Sequence, residues 1–509
     1  MMRIIALALC ALVVPMATAA VSSVTVNSGG GADFATIQAA IASFSSTGAN
    51  AAATPPFTIT IQTPSGPYDE ALDLNDANVG SGDIVGDLTI QTDTPGTKVV
   101  VKLQVGNADD GFYIYQSTAN VTLIDLVFCP SLTNPFADDM VKVDENGANA
   151  TMNVVTFQGC VFTEIDGAGN PLVTSRATAI AALPTANGFV YGSGLASGDV
   201  YLKCWGDAGE SNQYVLDDCV FFTAGHAARL HNDGSAGESI TVTDTFSYTD
   251  LTWNAALEVD NSLGGTVTIG GTGNLDDGIA AGGSTALISS GWHALWSSST
   301  GGTGVASVEL DEVMCYGSNP DTANHARGYS GGGGSPLVSA QDSIFVSDFI
   351  CILDQFNNAT TLDRCTLHQV LSPEAYWTMA VWPTTNTLID EAALGVGSGS
   401  VVATDCVFSG ADSVLLSAGA GPAGGFTIAN SAIVQSGPWA LADVVGYTDG
   451  GGNIVNNPIY VEAVDPTSAS YLDVDNPAYA GVGSGGSNLA GGGTYIGSIP
   501  VELSIFSTN

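Results

Sequence analysis

The sequence predicts an all-β protein: a right-handed parallel β-helix, or solenoid, with a short N-terminal capping helix and a C-terminal cap. Two repeated patterns carry this prediction. A four-residue block (a polar residue, a small or apolar one, any residue, an apolar one) recurs along the chain, and a second alternating strand follows it at a similar offset. Repeats of this kind stack one unit on the next, so they favour a solenoid that grows by adding coils over a sandwich.

The block predicts which residues form the core. Strand alternation turns its second and fourth residues inward, while an Asp or Asn at its first position can turn the backbone. The eight blocks begin at Asp125, Gly159, Asp218, Glu312, Asp342, Arg364, Asp405 and Asn430. The second strand recurs at residues 228–231, 255–260, 293–296, 379–382, 414–416 and 440–443, and Gly-rich turns follow nearly every copy.

The opening of the repeat region has its own pattern. A strand at residues 23–26 precedes a glycine turn, and Ile37, Ile41 and Phe44 then recur at helical spacing. A strand at 57–61 and the segment Gly66-Pro67-Tyr68-Asp69-Glu70 follow. This order resembles the opening of pectinesterases and related pectin-lyase-like proteins. The resemblance implies a parallel β-helix whose open end is capped by the helix.

The chain divides into three predicted segments. Residues 1–19 are expected to be a secretory signal peptide, because Arg3 precedes an apolar stretch and residues 17–19 form an A-x-A cleavage site. Residues 20–449 form the β-helix, and residues 450–509 form closing coils and a tail. The stretch around Asn457-Pro458 resembles the closing segment of secreted bacterial β-helix proteins. We expect a secreted or cell-surface protein without a transmembrane segment.

The charge balance restricts the partners. The chain has 9 Lys+Arg against 50 Asp+Glu, a formal net charge of −41. Nucleic acid and anionic lipid require basic surface, so we expect neither as a partner. Cations, neutral glycans and basic partners are compatible with this charge, and simple solubility would also account for it.

The cysteines allow two interpretations. Apart from Cys10 there are eight, at positions 129, 160, 204, 219, 315, 351, 365 and 406, and an even number in an exported protein is compatible with disulfides. However, Cys160, Cys219, Cys365 and Cys406 occupy the inward second position of the block, which favours buried free thiols. Their separations predict that most do not lie in neighbouring coils. Zinc is not expected, because no C-x-x-C pair exists.

Calcium is the one cofactor left open. Acidic turns occur at residues 107–111, 138–139, 144–147 and 274–278, and their clustered oxygens could bind Ca²⁺. None has the spacing of an EF-hand loop, so solvated turns are the competing interpretation and no cofactor is otherwise expected.

Candidate binding residues lie on the second strand. If its apolar residues face inward, the intervening side chains share the outer face: Arg229, His231, Glu258, Asp260 and Trp382, joined by Trp296 if that strand keeps the register. Carboxylates, an Arg and aromatic platforms would suit an extracellular polysaccharide. A surface ladder of opposite charges with no ligand is the alternative.

Catalysis is not assigned by sequence. In pectinesterases two Asp-bearing segments lie farther apart than Gln341-Asp342 and Asp348-Phe349 do here, and in polygalacturonases paired Asp residues precede a G-H-G, whereas here Gly225-His226 comes before Asp276-Asp277. Neither set transfers. The sequence therefore favours a glycan-binding β-helix without rapid turnover, with a polysaccharide-active esterase, lyase or hydrolase as the first alternative. A purely structural, self-associating protein is the second.

Overall fold

The computed structural model describes most of the chain between residues 20 and 495. The described ranges are 20–63, 65–74, 84, 86–106, 109–115, 120–135, 138–145, 154–183, 200–206, 212–223, 225–232, 238–249, 255–261, 265–275, 278–280, 282–289, 293–298, 307–317, 327–331, 337–347, 350–353, 360–369, 400–411, 425–435, 447–461 and 467–495. The predicted signal peptide and Trp382 lie outside them.

Three parallel sheets form the body of the protein. Sheet A has 14 strands: β1 (Ser23–Val26), β2 (Phe57–Ile61), β5 (Leu88–Thr92), β8 (Val121–Ile124), β11 (Val154–Gln158), β14 (Gln213–Asp217), β17 (Ser239–Thr243), β20 (Thr266–Gly270), β23 (Ser307–Asp311), β26 (Leu337–Gln341), β29 (Thr360–Asp363), β31 (Val401–Thr404), β33 (Phe426–Ala429) and β35 (Tyr447–Asp449).

Sheet B has 12 strands: β3 (Tyr68–Glu70), β6 (Val99–Leu103), β9 (Leu126–Pro130), β12 (Val161–Thr163), β15 (Val220–Thr223), β18 (Phe246–Thr249), β21 (Thr285–Ser289), β24 (Val313–Gly317), β27 (Ile344–Ser347), β30 (Thr366–Gln369), β32 (Val407–Ala411) and β34 (Ala432–Gln435). Sheet C has nine: β4 (Leu72–Asp73), β7 (Phe112–Tyr115), β10 (Val141–Glu145), β13 (Val200–Gly206), β16 (His226–Asn232), β19 (Ala255–Asn261), β22 (His293–Ser298), β25 (Arg327–Gly331) and β28 (Ile350–Leu353).

The order of these strands defines a solenoid. The chain visits sheets A, B and C in turn, and each new strand joins the previous strand of the same sheet in parallel. The predicted fold class, an all-β parallel β-helix, is thereby confirmed. The right-handed winding remains a prediction, although crossovers between parallel strands are almost always right-handed.

The repeated block forms the corner between sheets A and B. Its fourth residues stack inside the coil: the rings of Phe128 and Phe162 lie 5.5 Å apart, and those of Phe162 and Phe221 lie 4.5 Å apart and nearly parallel. Its first residue has a left-handed backbone, with φ of 59° at Asp125 and 50° at Asn430. Asp and Asn tolerate this conformation better than most residues, which explains their recurrence there.

The eight cysteines are free and buried in the described chain, as the inward positions predicted. The prediction that most of the block cysteines do not lie in neighbouring coils was wrong. Cys160 and Cys219 precede paired strands, since Val161 pairs with Val220, and the same relation joins Cys365 to Cys406. The reason is that the number of residues between successive strands of one sheet varies widely, so separation in sequence does not measure separation along the solenoid.

A short helix covers the first coil, as predicted. Helix α1 (Ile37–Ser43) begins after Thr36, whose hydroxyl accepts the N–H of Ala39. Ile37 and Ile41 are buried against the coil interior. The cap therefore shields the apolar end of the solenoid from water.

The outer face of sheet B is covered by other parts of the chain. Helix α2 (Arg176–Ala182) starts with a capping box between Ser175 and Thr178 and lies over this sheet. The apolar side chains beneath and above form a second core, which includes Val161, Val220 and Phe246 of the sheet, Ala179 of the helix, and Ile279, Tyr471 and Leu472 of later segments. Sheet B is thus excluded as an open binding face.

The C-terminal region closes the last coil and then runs back along the solenoid. Residues 447–454 close the last coil, because β35 pairs with β33 and Ile454 bridges Ala432. Residues 467–495 run back along the flank, where Ser484 donates to the Asp405 carboxylate and the Gly492 N–H donates to Thr366. The boundary at residue 450 remains a prediction. Among the described residues, neither helix is long and apolar enough to cross a membrane.

Candidate functional site

The outer face of sheet C brings together the predicted binding residues. One outward position is occupied on consecutive strands by residues in direct register; we call this series the charged column. It comprises Asp73, Tyr113, Lys142, Lys203, Arg229, Glu258 and Trp296. The register of β22 with β19 pairs Trp296 with Glu258, so the strand of Trp296 keeps the register and Trp296 joins this column.

A second column lies two residues further along each strand. It comprises Tyr115, Asp144, Trp205, His231 and Asp260. The imidazole of His231 stacks on the indole of Trp205, with ring centroids 3.9 Å apart and planes 8° from parallel. The strand places Asp260 beside His231 in register.

Three cations stand on three adjacent strands of the charged column. Lys142, Lys203 and Arg229 follow one another at the spacing of parallel strands, about 4.8 Å. The chain has only 9 Lys+Arg in all, so a third of its basic residues occupy this one column. Like charges this close repel one another, and their persistence requires compensating groups nearby.

Buried carboxylates supply that compensation. Lys142 Nζ lies 3.6 Å from Asp110 and 3.8 Å from Asp144, and Lys203 Nζ lies 3.0 Å from Asp139. Arg229 Nε lies 3.1 Å from Glu258. Each cation is thus held by a carboxylate on its own strand or at the neighbouring coil.

Trp205 lies between two of these cations. Lys203 Nζ is 5.9 Å and the Arg229 guanidinium 5.6 Å from its ring centroid, both within the range of a cation–π contact. Trp205 and Trp296 are both half-buried, which leaves part of each ring accessible. The face therefore offers two aromatic surfaces beside a row of cations.

Glu258 and His231 are more enclosed than expected. Both point to the outer face, yet each is only 1% exposed, because side chains of adjacent strands cover them. His226 Nδ1 lies 3.6 Å from Glu258 and accepts the N–H of Ala255. Burial, and then the charge of Arg229, lowers the pKa of His226 to about 4, so its ring is neutral at neutral pH.

Asp110, from the first predicted acidic turn, meets the turn at 138–139 beside this face. One carboxylate oxygen from each of Asp110, Asp138 and Asp139 lies within 4.8 Å of the others. Burial raises the pKa of Asp110 to about 7 and also raises that of Asp139. Since Lys142 and Lys203 already stand against two of these groups, the cluster is balanced by protein cations, and we assign no ion to it.

Sequence reasoning found part of this face and missed the rest. Arg229, Glu258 and Trp296 share one column, and His231 lies in the next with the backbone of Asp260; Trp382 lies outside the described residues. Lys142, Lys203, Tyr113 and Trp205 were missed. The alternation Val141-Lys142-Val143-Asp144 and the run Lys203-Cys204-Trp205 have the same inward–outward pattern, and they were the available signal.

No family model, no curated protein and no solved structure matches the chain. The architecture alone therefore defines its class, the all-β parallel β-helix solenoids, and membership of the pectin-lyase-like superfamily remains a prediction.

Proposed function

We propose that the protein is secreted or held at the cell surface and that the outer face of sheet C binds an extracellular polysaccharide without rapid turnover. The observation that carries the proposal is the row formed by Lys142, Lys203 and Arg229 in a chain of net charge −41. Solubility does not require three of nine basic residues to stand on adjacent strands of one face, so a ligand explains this uneven distribution better. The signal-like segment at residues 1–19 supports export.

The chemistry of the row favours sugars that carry carboxylates. An Arg can bind a carboxylate through two parallel hydrogen bonds, and lysines add point charges along the chain direction. Trp205 and Trp296 would stack on the apolar faces of sugar rings. The carboxylates of Asp139 and Glu258 hold Lys203 and Arg229 in place and limit the net charge, which suits reversible binding.

Glycan binding by the mature chain tests the proposal. A glycan array with and without calcium would identify a ligand, and its affinity would then be measured for Trp205→Ala and Trp296→Ala. Loss of either stacking surface should weaken binding by roughly 1 to 3 kcal/mol, the scale for one large apolar side chain. Val402→Ala, which removes an exposed apolar side chain from the outer face of sheet A, is the matched control and should bind like the wild type.

Two results would redirect the assignment. Unchanged binding in both tryptophan variants, or no glycan bound by the wild type, would favour a structural, self-associating role. Cleavage of a polysaccharide that Glu258→Gln abolishes would make the protein an enzyme.

A further inference from the structure

The outer face of sheet A carries a regular series of hydroxyl side chains. Residues at one outward position follow one another in direct register from β1 to β20; we call them the threonine ladder. They are Ser23, Thr58, Thr89, Thr122, Thr156, Val215, Thr241 and Thr268. Seven of the eight bear a hydroxyl, and Val215 has the same shape as Thr without it.

The ladder repeats in one direction, from strand to strand across the sheet. Pairing from β1 to β20 proceeds without a register shift, and the first irregularity in the sheet lies between Val308 and Glu309. Adjacent rungs are therefore about 4.8 Å apart, and outward positions along one strand repeat at about 6.7 Å. Because Thr is β-branched, its χ1 is restricted, so the hydroxyls and methyls form a fixed array.

This part of the surface is almost without charge. The adjoining outward column holds Thr25, Thr60, Gln91, Ile124, Gln158, Asp217, Thr243 and Gly270. Its single carboxylate, Asp217, accepts a hydrogen bond from Gln158 at 3.0 Å. Charges return beyond β20, with Glu309, Asp311 and Asp363. In a chain of net charge −41, two outward columns with one carboxylate over eight strands are a marked departure.

The ladder hydroxyls are available to solvent. Thr58, Thr89, Thr122, Thr156 and Thr241 are half-buried by their ladder neighbours and Thr268 is exposed. None of these six donates or accepts a side-chain hydrogen bond within the described chain. The two columns also contain no aromatic residue, so they lack the stacking surfaces that favour sugar rings.

We propose that the threonine ladder binds ice. The distance between its rungs is close to a spacing between water oxygens in the ice lattice, and fixed hydroxyls can occupy lattice positions while the methyl groups between them order the adjoining water. A neutral face suits an uncharged lattice, whereas lysine or carboxylate groups would impose their own hydration. This inference is independent of polysaccharide binding by sheet C.

Ice-growth measurements on the mature chain test the inference. The wild type should depress the freezing point below the melting point and shape ice crystals into facets. Replacing Thr122 and Thr156 together by Lys should remove most of this thermal hysteresis, because two hydrated charges would interrupt the array. The matched control is Thr361→Lys with Thr427→Lys, at the same outward position of the same sheet but on strands outside the ladder; it should retain the activity.

Several outcomes would overturn the inference. One is the absence of thermal hysteresis in the wild type at its highest soluble concentration. Another is an equal loss of hysteresis in the ladder and control variants. A third is a ladder variant that alters only self-association in sedimentation, or only retention on insoluble neutral polysaccharide, which would assign the face to another partner. Unfolding midpoints of all variants would establish that each is folded, and glycan binding would be measured in parallel.

Discussion

Glu70 and Gln38 join the capping helix to the first coils. One carboxylate oxygen of Glu70 accepts the backbone N–H of Gln38 at 2.9 Å, and the other accepts that of Ile37 at 3.0 Å. The Gln38 side chain in turn bonds to the backbone N–H and C=O of Asp73, at 2.8 and 3.1 Å. The two segments of the predicted opening thus meet each other. Together they fix the capping helix against the first coils.

The Glu70 contact predicts a local loss of stability. Glu70→Ala leaves two N–H groups of the first helical turn without their carboxylate, and losing a cap of this kind costs about 1 to 2 kcal/mol. Hydrogen exchange across Ile37–Ser43 should therefore accelerate. Asp69→Ala, at an exposed neighbouring position, is the control and should leave exchange in the helix unchanged. Equal protection in Glu70→Ala and the wild type would contradict this role for the carboxylate.

The fold could be predicted because its core obeys a local rule. The second and fourth residues of each block face inward wherever the block occurs, as with Phe128 and Phe221, so eight copies specify the same corner. What the sequence could not show is how many residues separate successive strands of one sheet. For example, β12 and β15 are neighbours although helix α2 and its flanking loops separate them along the chain.

The same variable spacing concealed half of the candidate site. Arg229 and Glu258 lie on successive strands close in sequence, and their pairing was predictable from the repeat. Lys142 and Lys203 are paired although about sixty residues intervene, so no local pattern aligns them. The burial of Glu258 also depends on side chains from adjacent coils. This burial could therefore not be predicted from alternation along one strand, because it depends on the register between adjacent coils.

The cysteines should be unreactive in the folded protein. Burial raises the pKa of Cys129, Cys160 and Cys351 to about 12, so almost no thiolate is present at neutral pH. We expect slow alkylation under native conditions and full alkylation of the eight cysteines after denaturation, read by mass spectrometry. If four disulfides were found instead, the inward assignment of the block cysteines would be wrong.

Asp110 should make stability depend on pH in an unusual direction. Burial, against the opposing attraction of Lys142, raises its pKa to about 7, whereas an unfolded Asp titrates near 4. The folded state therefore holds a proton between about pH 4 and 7 that the unfolded state has released, and the contribution of Asp110 to stability falls as pH rises through this window. In urea titrations, the stability of the wild type relative to Asp110→Asn should decline from pH 4 to 7 and then level off.

His226 provides the contrast in the same pH range. Its pKa is lowered to about 4, so the unfolded chain binds a proton that the folded one rejects between about pH 4 and 6.5. Its contribution is fully present above pH 6.5 and is lost as pH falls. His226→Gln should consequently change the pH profile in the sense opposite to Asp110→Asn. Two variants that shift the profile in the same direction would contradict the burial of one of these groups.

Arg176 should matter more to stability than Arg364, although both are arginines with several hydrogen bonds. Arg176 is buried and donates to the carbonyl oxygens of Ile279 and Ser284 at 2.6 and 2.8 Å, which fastens helix α2 to the loop over sheet B.

Its replacement by Met would leave those buried carbonyls without donors and should reduce the free energy of unfolding by about 3 kcal/mol. The Arg364 side chain is 42% exposed and pairs with Asp342 at 2.6 Å, so Arg364→Met should cost about 1 kcal/mol or less. Denaturant unfolding of the two variants at pH 7 measures the difference. Equal losses would mean that α2 is held mainly by its apolar contacts with sheet B and that the guanidinium adds little.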